Sequence, residues 1–150
     1  MKRLLLISLL LLATGAAPAR AADSKLWATV NVCDTAAHPN VIGIRAALPA
    51  PGSRTARLRY RVQYRDLSDG RWRWVRDADS HWRKVGRARE SGWSFEVAGT
   101  GTQILRGVVD YRWTRHGKIV RHARRVTESG HHSTAGADPP DFSAATCLID

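Results

Sequence analysis

Alternation of apolar and polar residues is the clearest pattern in this chain, and it is strongest over residues 57–65. Successive side chains of a β-strand point to opposite faces, so the pattern predicts a half-buried strand. Its apolar face would hold Leu58, Tyr60, Val62 and Tyr64, and its polar face Arg57, Arg59, Arg61, Gln63 and Arg65. A turn at Ser68-Asp69-Gly70 leads into a second alternating segment, so residues 57–76 are predicted to form a hairpin.

Seven other short segments after residue 25 are candidate strands. They are residues 26–33, 41–48, 81–86, 93–97, 103–115, 118–127 and 143–149. Glycine- and proline-containing breakers separate them, and none offers ten to fifteen residues of apolar repeat at helical spacing. We therefore predict an all-β domain of about seven to eight antiparallel strands, packed as a two-sheet sandwich with Greek-key links.

Two hairpins resemble those of fibronectin type III domains. Residues 60–65, followed by Gly70 and residues 72–75, resemble the third strand and its hairpin partner. Residues 108–113, followed by Gly117, resemble the tyrosine-bearing strand near the end of such domains. The resemblance covers residues 41–127 and implies an immunoglobulin-like, fibronectin type III-like sandwich.

The chain departs from that pattern at both ends of the resemblance. The tryptophan expected in the second strand is missing from residues 41–48, and Cys147 lies beyond the usual last strand. The whole chain also resembles small secreted bacterial proteins of no assigned activity, which implies nothing about its chemistry.

The first 21 residues have the three parts of a signal peptide. Lys2 and Arg3 come first, residues 4–13 are apolar, and the small-residue stretch 14–21 ends in Ala19-Arg20-Ala21. The apolar run would span about 15 Å as a helix, half of the roughly 30 Å hydrocarbon layer, which disfavours a permanent anchor. We predict a signal peptide at 1–21, a single domain at 22–150, no membrane-spanning segment after cleavage, and a secreted or periplasmic location.

The two cysteines, Cys33 and Cys147, lie near the two ends of the predicted mature chain. Export favours oxidised thiols, so we predict that they pair with each other. An intermolecular disulfide is the alternative. A catalytic role for either is disfavoured because each stands in an apolar stretch without a neighbouring base.

Length and charge narrow the class of protein. With 150 residues, 24 of them Lys or Arg and 13 Asp or Glu, the net charge is +11. The composition excludes collagen, coiled coil, long disorder and a multi-domain enzyme. Such a positive balance favours an anionic partner.

The arginine-rich strand face is the main candidate site. Its arginines would stand about 6–7 Å apart, with Arg71 and Arg73 expected to cross them on the partner strand. Like charges side by side repel, so either acidic side chains interleave with them or an anionic partner binds them. The predicted polyanion-binding face comprises Arg57, Arg59, Arg61, Arg65, Arg71, Arg73, Trp72, Trp74 and Trp82. The alternative is a solvated face.

The six tryptophans are expected to serve structure more than binding. Trp72 and Trp74 share one strand face, and arginines of adjacent strands can stack on such indoles to form a ladder. The same surface could instead stack sugar rings or bases. Trp82 is expected to be the most exposed tryptophan.

A polar loop at residues 128–141 carries His131, His132, Asp138 and Asp141, which could ligate zinc or copper. We favour a plain loop, because adjacent residues rarely aim two imidazoles at one ion. No nucleophile, zinc-protease or phosphate-loop motif is present, so we expect no enzyme, no cofactor and no metal.

The leading hypothesis is a secreted, monomeric, non-catalytic module that binds an anionic cell-envelope polymer. We expect no specific binding of nucleic acid. A purely structural or protein-interaction domain is the alternative, favoured if carboxylates neutralise the arginines. A small metal-dependent enzyme comes third.

Overall fold

The computed structural model describes residues 26–49, 54–86, 89–99 and 101–150, and in these ranges every regular element is a β-strand. The strands are β1 (Trp27–Thr35), β2 (His38–Ala47), β3 (Thr55–Arg65), β4 (Trp72–Asp79), β5 (Arg83–Val85), β6 (Glu90–Glu96), β7 (Gln103–Arg115), β8 (Lys118–Val126) and β9 (Cys147–Ile149). The all-β prediction is confirmed. The described part of the chain holds no helix able to cross a membrane, and the predicted signal peptide lies outside it.

The strands form two antiparallel sheets, as predicted for a sandwich. One sheet has the order β1-β2-β6, and the other has the order β4-β3-β7-β8, with β5 also paired to β3 and β9 to β7. Strands β3 and β7 form the centre of the larger sheet, where they pair without interruption from Thr55–Thr114 to Tyr64–Leu105. This long pairing fixes which side chains lie next to each other on both faces of the sheet.

The core lies between the two sheets and follows the alternation seen in the sequence. Leu58, Tyr60 and Val62 of β3 are fully buried, and so are Val109 and Tyr111 of β7. The smaller sheet contributes the side chains of Ala28, Val30, Ile42, Ile44 and Ala46. Burial of such apolar side chains is the main term that stabilises the fold.

The sheets approach closely at Gly107 of β7. A Cβ atom there would lie 2.7 Å from the side chains of both Ile44, in the opposite sheet, and Thr127. A larger residue would force the two layers apart, which explains a glycine in the middle of a long strand.

Residues 128–146, predicted as a loop followed by the start of a strand, run along β1 instead of extending into solvent. Ala144 pairs with Val30 and Asp138 with Val32 as isolated bridges. The Thr29 hydroxyl lies 2.7 Å from that of Ser143. The predicted strand over residues 143–149 is reduced to Cys147–Ile149 because the preceding residues pair only at single points.

Cys33 and Cys147 form a disulfide, which confirms the predicted pairing. Cys33 belongs to β1 of the smaller sheet and Cys147 to β9 of the larger one. The bond therefore links the two layers and closes a loop with a sequence separation of 114 residues.

Removing this link should destabilise the domain. The Cys33→Ala/Cys147→Ala variant is expected to lose about 4 kcal/mol of unfolding free energy, because the cross-link restricts the unfolded chain most when the loop is long. Urea denaturation of wild type and variant, each with and without reductant, measures the effect. Reductant should shift only the wild type, and equal stability of its oxidised and reduced forms would contradict this account.

Candidate anion-binding face

The larger sheet presents one face to the core and the other away from it, and we call the second the outer face. Arg57, Arg59, Arg61 and Gln63 of β3 lie on this face, as the alternation predicted. The register with β7 places Arg112, Asp110, Val108 and Arg106, respectively, opposite them. Residues paired across neighbouring strands share a face, so β7 adds two more arginines and one carboxylate to it.

Three tryptophans lie across the outer face and stack against arginines. The guanidinium carbon of Arg61 lies 4.0 Å from the ring centre of Trp74. The corresponding distances are 4.1 Å for Arg106 on Trp72 and 4.2 Å for Arg112 on Trp82. Arg106 and Arg112 belong to β7, on one side of β3. Trp72 and Trp82 lie on the other side of β3, so the stacked side chains meet above that strand.

The predicted ladder of stacked arginine and tryptophan side chains is therefore confirmed. Each contact contributes about 0.5–1 kcal/mol where it is exposed and more where it is desolvated. A fourth contact, Arg83 on Trp93 at 3.8 Å, joins the two sheets at their edge.

The expectation that Trp82 would be the most exposed tryptophan is wrong. Its side chain is half-buried, and the Arg112 guanidinium covers its ring. Trp74 has an exposed fraction of 44% and is more exposed than Trp82. The sequence around Trp82 contains no sign of this cover, because Arg112 is 30 positions away.

The expectation that Arg71 and Arg73 would cross the arginines of β3 is wrong. Trp72 is paired with Arg65 and Arg73 with Tyr64, so the tryptophans share the outer face and Arg73 lies on the other side. Arg73 donates hydrogen bonds to Asp66 at 2.7 Å and to Asp69 at 2.8 Å. Arg71 lies 3.8 Å from Asp69, so both arginines contact carboxylates of the hairpin turn.

Carboxylates neutralise part of the outer face. The Arg59 Nε donates to both Asp79 carboxylate oxygens, at 2.9 and 3.0 Å, and its Nη2 also donates to Asp79. The Arg59 hydrogen bonds lower the pKa of Asp79 to about 2. Asp110 accepts from Arg61 and from Arg124 of β8, both at 2.6 Å. Arg59 and Arg61 are therefore already engaged within the protein.

A different set of basic side chains, three of them cationic and the fourth a histidine, lies side by side without carboxylates. Lys84 of β5 is opposite Arg57, Arg57 is opposite Arg112, and Arg112 is opposite His122 of β8. We call these four residues the cation row. Of the ion pairs found in the described ranges, none involves Lys84, Arg57 or Arg112.

Arg112 has, in addition, a buried Nε–H without a hydrogen-bond partner. Sequence analysis found only Arg57 of the row, because the other three residues reach it through strand pairings distant in the chain. Like charges directly opposite each other are destabilising, so the row is a place where an anion would be favourable.

A groove of about 790 Å³ lies beside the cation row on the outer face. It is lined by Arg59, Arg61, Trp82, Asp110, Tyr111, Arg112, Ile119, His122, Ala123 and Arg124. The groove shares Arg112 and His122 with the cation row, and its surface is mainly cationic, with an apolar part formed by Trp82 and Ile119. It opens to solvent next to the uncompensated Arg112.

The histidine loop has other contacts. The His131 ring stacks on Trp27 with 4.4 Å between ring centres and lies 3.0 Å from a Glu128 carboxylate oxygen. The His132 Nδ1 is 2.8 Å from the Asp141 carbonyl oxygen, and Asp138 accepts a hydrogen bond from Thr35. Over the ranges that the structure covers, no three histidine, cysteine or acidic residues are grouped as metal ligands.

No protein-family model, no curated protein and no solved structure matches this chain. Function must therefore be argued from the geometry of the outer face.

The pairing of Arg59 with Asp79 should be visible in the pH dependence of stability. A carboxyl group whose pKa falls on folding stabilises the protein above its ordinary value near 4, and this contribution is lost as the pH falls towards about 2. We expect Asp79→Asn to lower the unfolding free energy by about 1 kcal/mol at neutral pH. The difference from wild type should vanish near pH 2 in urea titrations.

Asp77→Asn is the matched control, because Asp77 lies on the same strand and enters none of the ion pairs of the described residues. Each of the two variants removes one carboxylate from β4. An identical pH profile for the two variants would contradict the assignment of the effect to Arg59.

Proposed function

We propose that this protein is a secreted, non-catalytic module that binds linear anionic polymers of the cell envelope through the cation row. The observation that carries the proposal is the alignment of Lys84, Arg57, Arg112 and His122 on four adjacent strands, with no carboxylate between them. The row replaces the hairpin as the centre of the candidate site.

The dimensions of the row suit a polymer better than a single small anion. Neighbouring strands lie about 4.8 Å apart, so four side chains on four strands span about 14 Å. Guanidinium groups offer paired N–H donors that match the oxygens of phosphate, and the ammonium of Lys84 adds a mobile point charge. A chain of phosphate or sulfate groups laid across the strands would offset the repulsion at each position.

The stacked tryptophan gives the row a fixed element. Trp82 holds the Arg112 guanidinium in place and leaves its buried Nε–H without an internal acceptor. A side chain that is already ordered loses less conformational entropy when a ligand binds. Arg57 and Lys84, which are exposed, can adjust to the spacing of the anionic groups.

Secretion is part of the same proposal. It is supported by the signal-peptide pattern at residues 1–21 and by the disulfide, since such bonds persist in oxidising compartments. An anionic envelope polymer would be the surface that an exported cationic protein meets first.

We further propose that the sandwich is immunoglobulin-like, of the fibronectin type III kind. The two hairpins that carry the sequence resemblance are β3–β4 and β7–β8, and they lie in one sheet with β1, β2 and β6 in the other. Strand β9 and its disulfide are additions to that pattern. A crystal structure with a different strand order would contradict the assignment.

A structural or protein-interaction domain is the second candidate. It is favoured by the ion pairs of Asp79 with Arg59 and of Asp110 with Arg61 and Arg124, which compensate part of the positive charge on the outer face. In that case the ladder of stacked side chains would serve only to stiffen the larger sheet, and the protein would bind anionic polymers no more tightly than any other protein of its charge.

Binding of long-chain polyphosphate and of heparin at low salt, measured by calorimetry, separates these candidates. We expect Arg57→Gln/Lys84→Gln to weaken binding of both polymers at least about tenfold, because two charge-assisted contacts are lost. The slope of log affinity for polyphosphate against log salt concentration should fall in magnitude by about 1.5–2.

Arg71→Gln/Arg73→Gln is the control, since it removes the same charge from two arginines that are paired with Asp66 and Asp69 of the β3–β4 turn. It should bind both polymers nearly as tightly as wild type. Equal losses in the two double variants would contradict the cation row as the site, and absence of polymer binding by wild type would favour the structural candidate.

A further inference from the structure

We propose that the groove beside the cation row is a separate subsite for a phosphomonoester attached to an apolar group. The inference rests on the proposed function in sharing Arg112 and His122 with the cation row, whereas the rest of the groove is formed by other residues of β3, β7 and β8 together with Trp82. Such a ligand would place its phosphate against the arginines and its apolar part against Ile119 and Trp82.

The charge of the groove fits a doubly charged group. Arg59 is paired with Asp79, whereas Arg61 and Arg124 share the single carboxylate of Asp110, and Arg112 has no carboxylate partner. Four guanidinium groups thus face two carboxylates, which leaves an excess of two positive charges. A phosphomonoester carries a charge of about −1.5 to −2 near neutral pH.

The donors of the groove also suit phosphate. Arg112 belongs to both the cation row and the groove, and its position is fixed by the stack on Trp82. Arg124 is bound to Asp110 through its Nε, and its side chain has an exposed fraction of 58%. Planar guanidinium groups approaching from two strands can each bind two phosphate oxygens.

The apolar part of the groove has no function in binding a bare polymer. Ile119 has an exposed fraction of 57% and is the large aliphatic side chain that lines the groove. Trp82 is half-buried and continues the apolar surface. A groove that combines a few charged groups with apolar walls is typical of sites for small amphipathic ligands.

Calorimetric titration with inorganic phosphate, hexyl phosphate and phenyl phosphate tests the proposal. If about two methylene groups become buried on the apolar wall, hexyl phosphate should bind about tenfold more tightly than inorganic phosphate. The comparison of hexyl with phenyl phosphate distinguishes a lipid-like ligand from an aromatic one. Equal affinity for all three probes would overturn the proposal.

Two variants of neighbouring residues assign the effect to the groove. Ile119→Ser should remove most of the preference for hexyl phosphate over inorganic phosphate. Val120→Ser, which changes a comparably exposed side chain outside the groove, should leave the preference intact. Equal effects of the two variants would overturn the proposal.

The outcomes for the subsite and for polymer binding are distinguishable. Ile119→Ser should leave polyphosphate affinity unchanged, whereas Arg112→Gln should weaken both polyphosphate and hexyl phosphate. If wild type binds polyphosphate without any preference for hexyl phosphate, the subsite is wrong and the cation row stands. If it prefers hexyl phosphate but does not bind polyphosphate, the subsite stands and the proposed function is wrong.

Discussion

Repulsion between arginine side chains on one face of a β-sheet is the constraint on which the outer face depends. Strand spacing brings guanidinium groups within about 5–7 Å of one another, where like charges are unfavourable unless something compensates them. The structure uses two means. Asp79 and Asp110 pair with three arginines, and three indoles stack against three guanidinium groups. Neither carboxylate is paired with a member of the cation row.

The core decides which cations lie side by side. The inward side chains of β3 and β7, among them Tyr60 and Tyr111, are fully buried, and burial raises the pKa of Tyr60 to about 12. Slipping the β3–β7 pairing by one residue would turn these side chains outward, so the register is strongly fixed. The same register sets Arg57 opposite Arg112 and Arg59 opposite Asp110. The charge pattern of the outer face is thus a consequence of how the core packs.

Local patterns predicted the strands, the hairpins and the arginine face of β3, because alternation and turn residues act over a few positions. They could not predict what lies opposite Arg57, since Lys84 and Arg112 reach it through separate pairings with β5 and β7. The error over Arg71 and Arg73 has the same origin. The register of β3 with β4 next to their connecting turn pairs Trp72 with Arg65 and so puts Trp72 on the outer face. The disulfide was predictable because only one intramolecular pairing was possible.

The division of the outer face into a compensated and an uncompensated part explains why the number of arginines alone is a poor guide to function. Arg59 and Arg61 are held by carboxylates, so a ligand could recruit them only by displacing hydrogen bonds that already exist. Arg61 is stacked on Trp74 as well, but Arg112 is held by an aromatic ring alone, which fixes its position without satisfying its charge or its buried Nε–H. An indole therefore orders a guanidinium while leaving it able to bind an anion, whereas a carboxylate orders it at the expense of that ability.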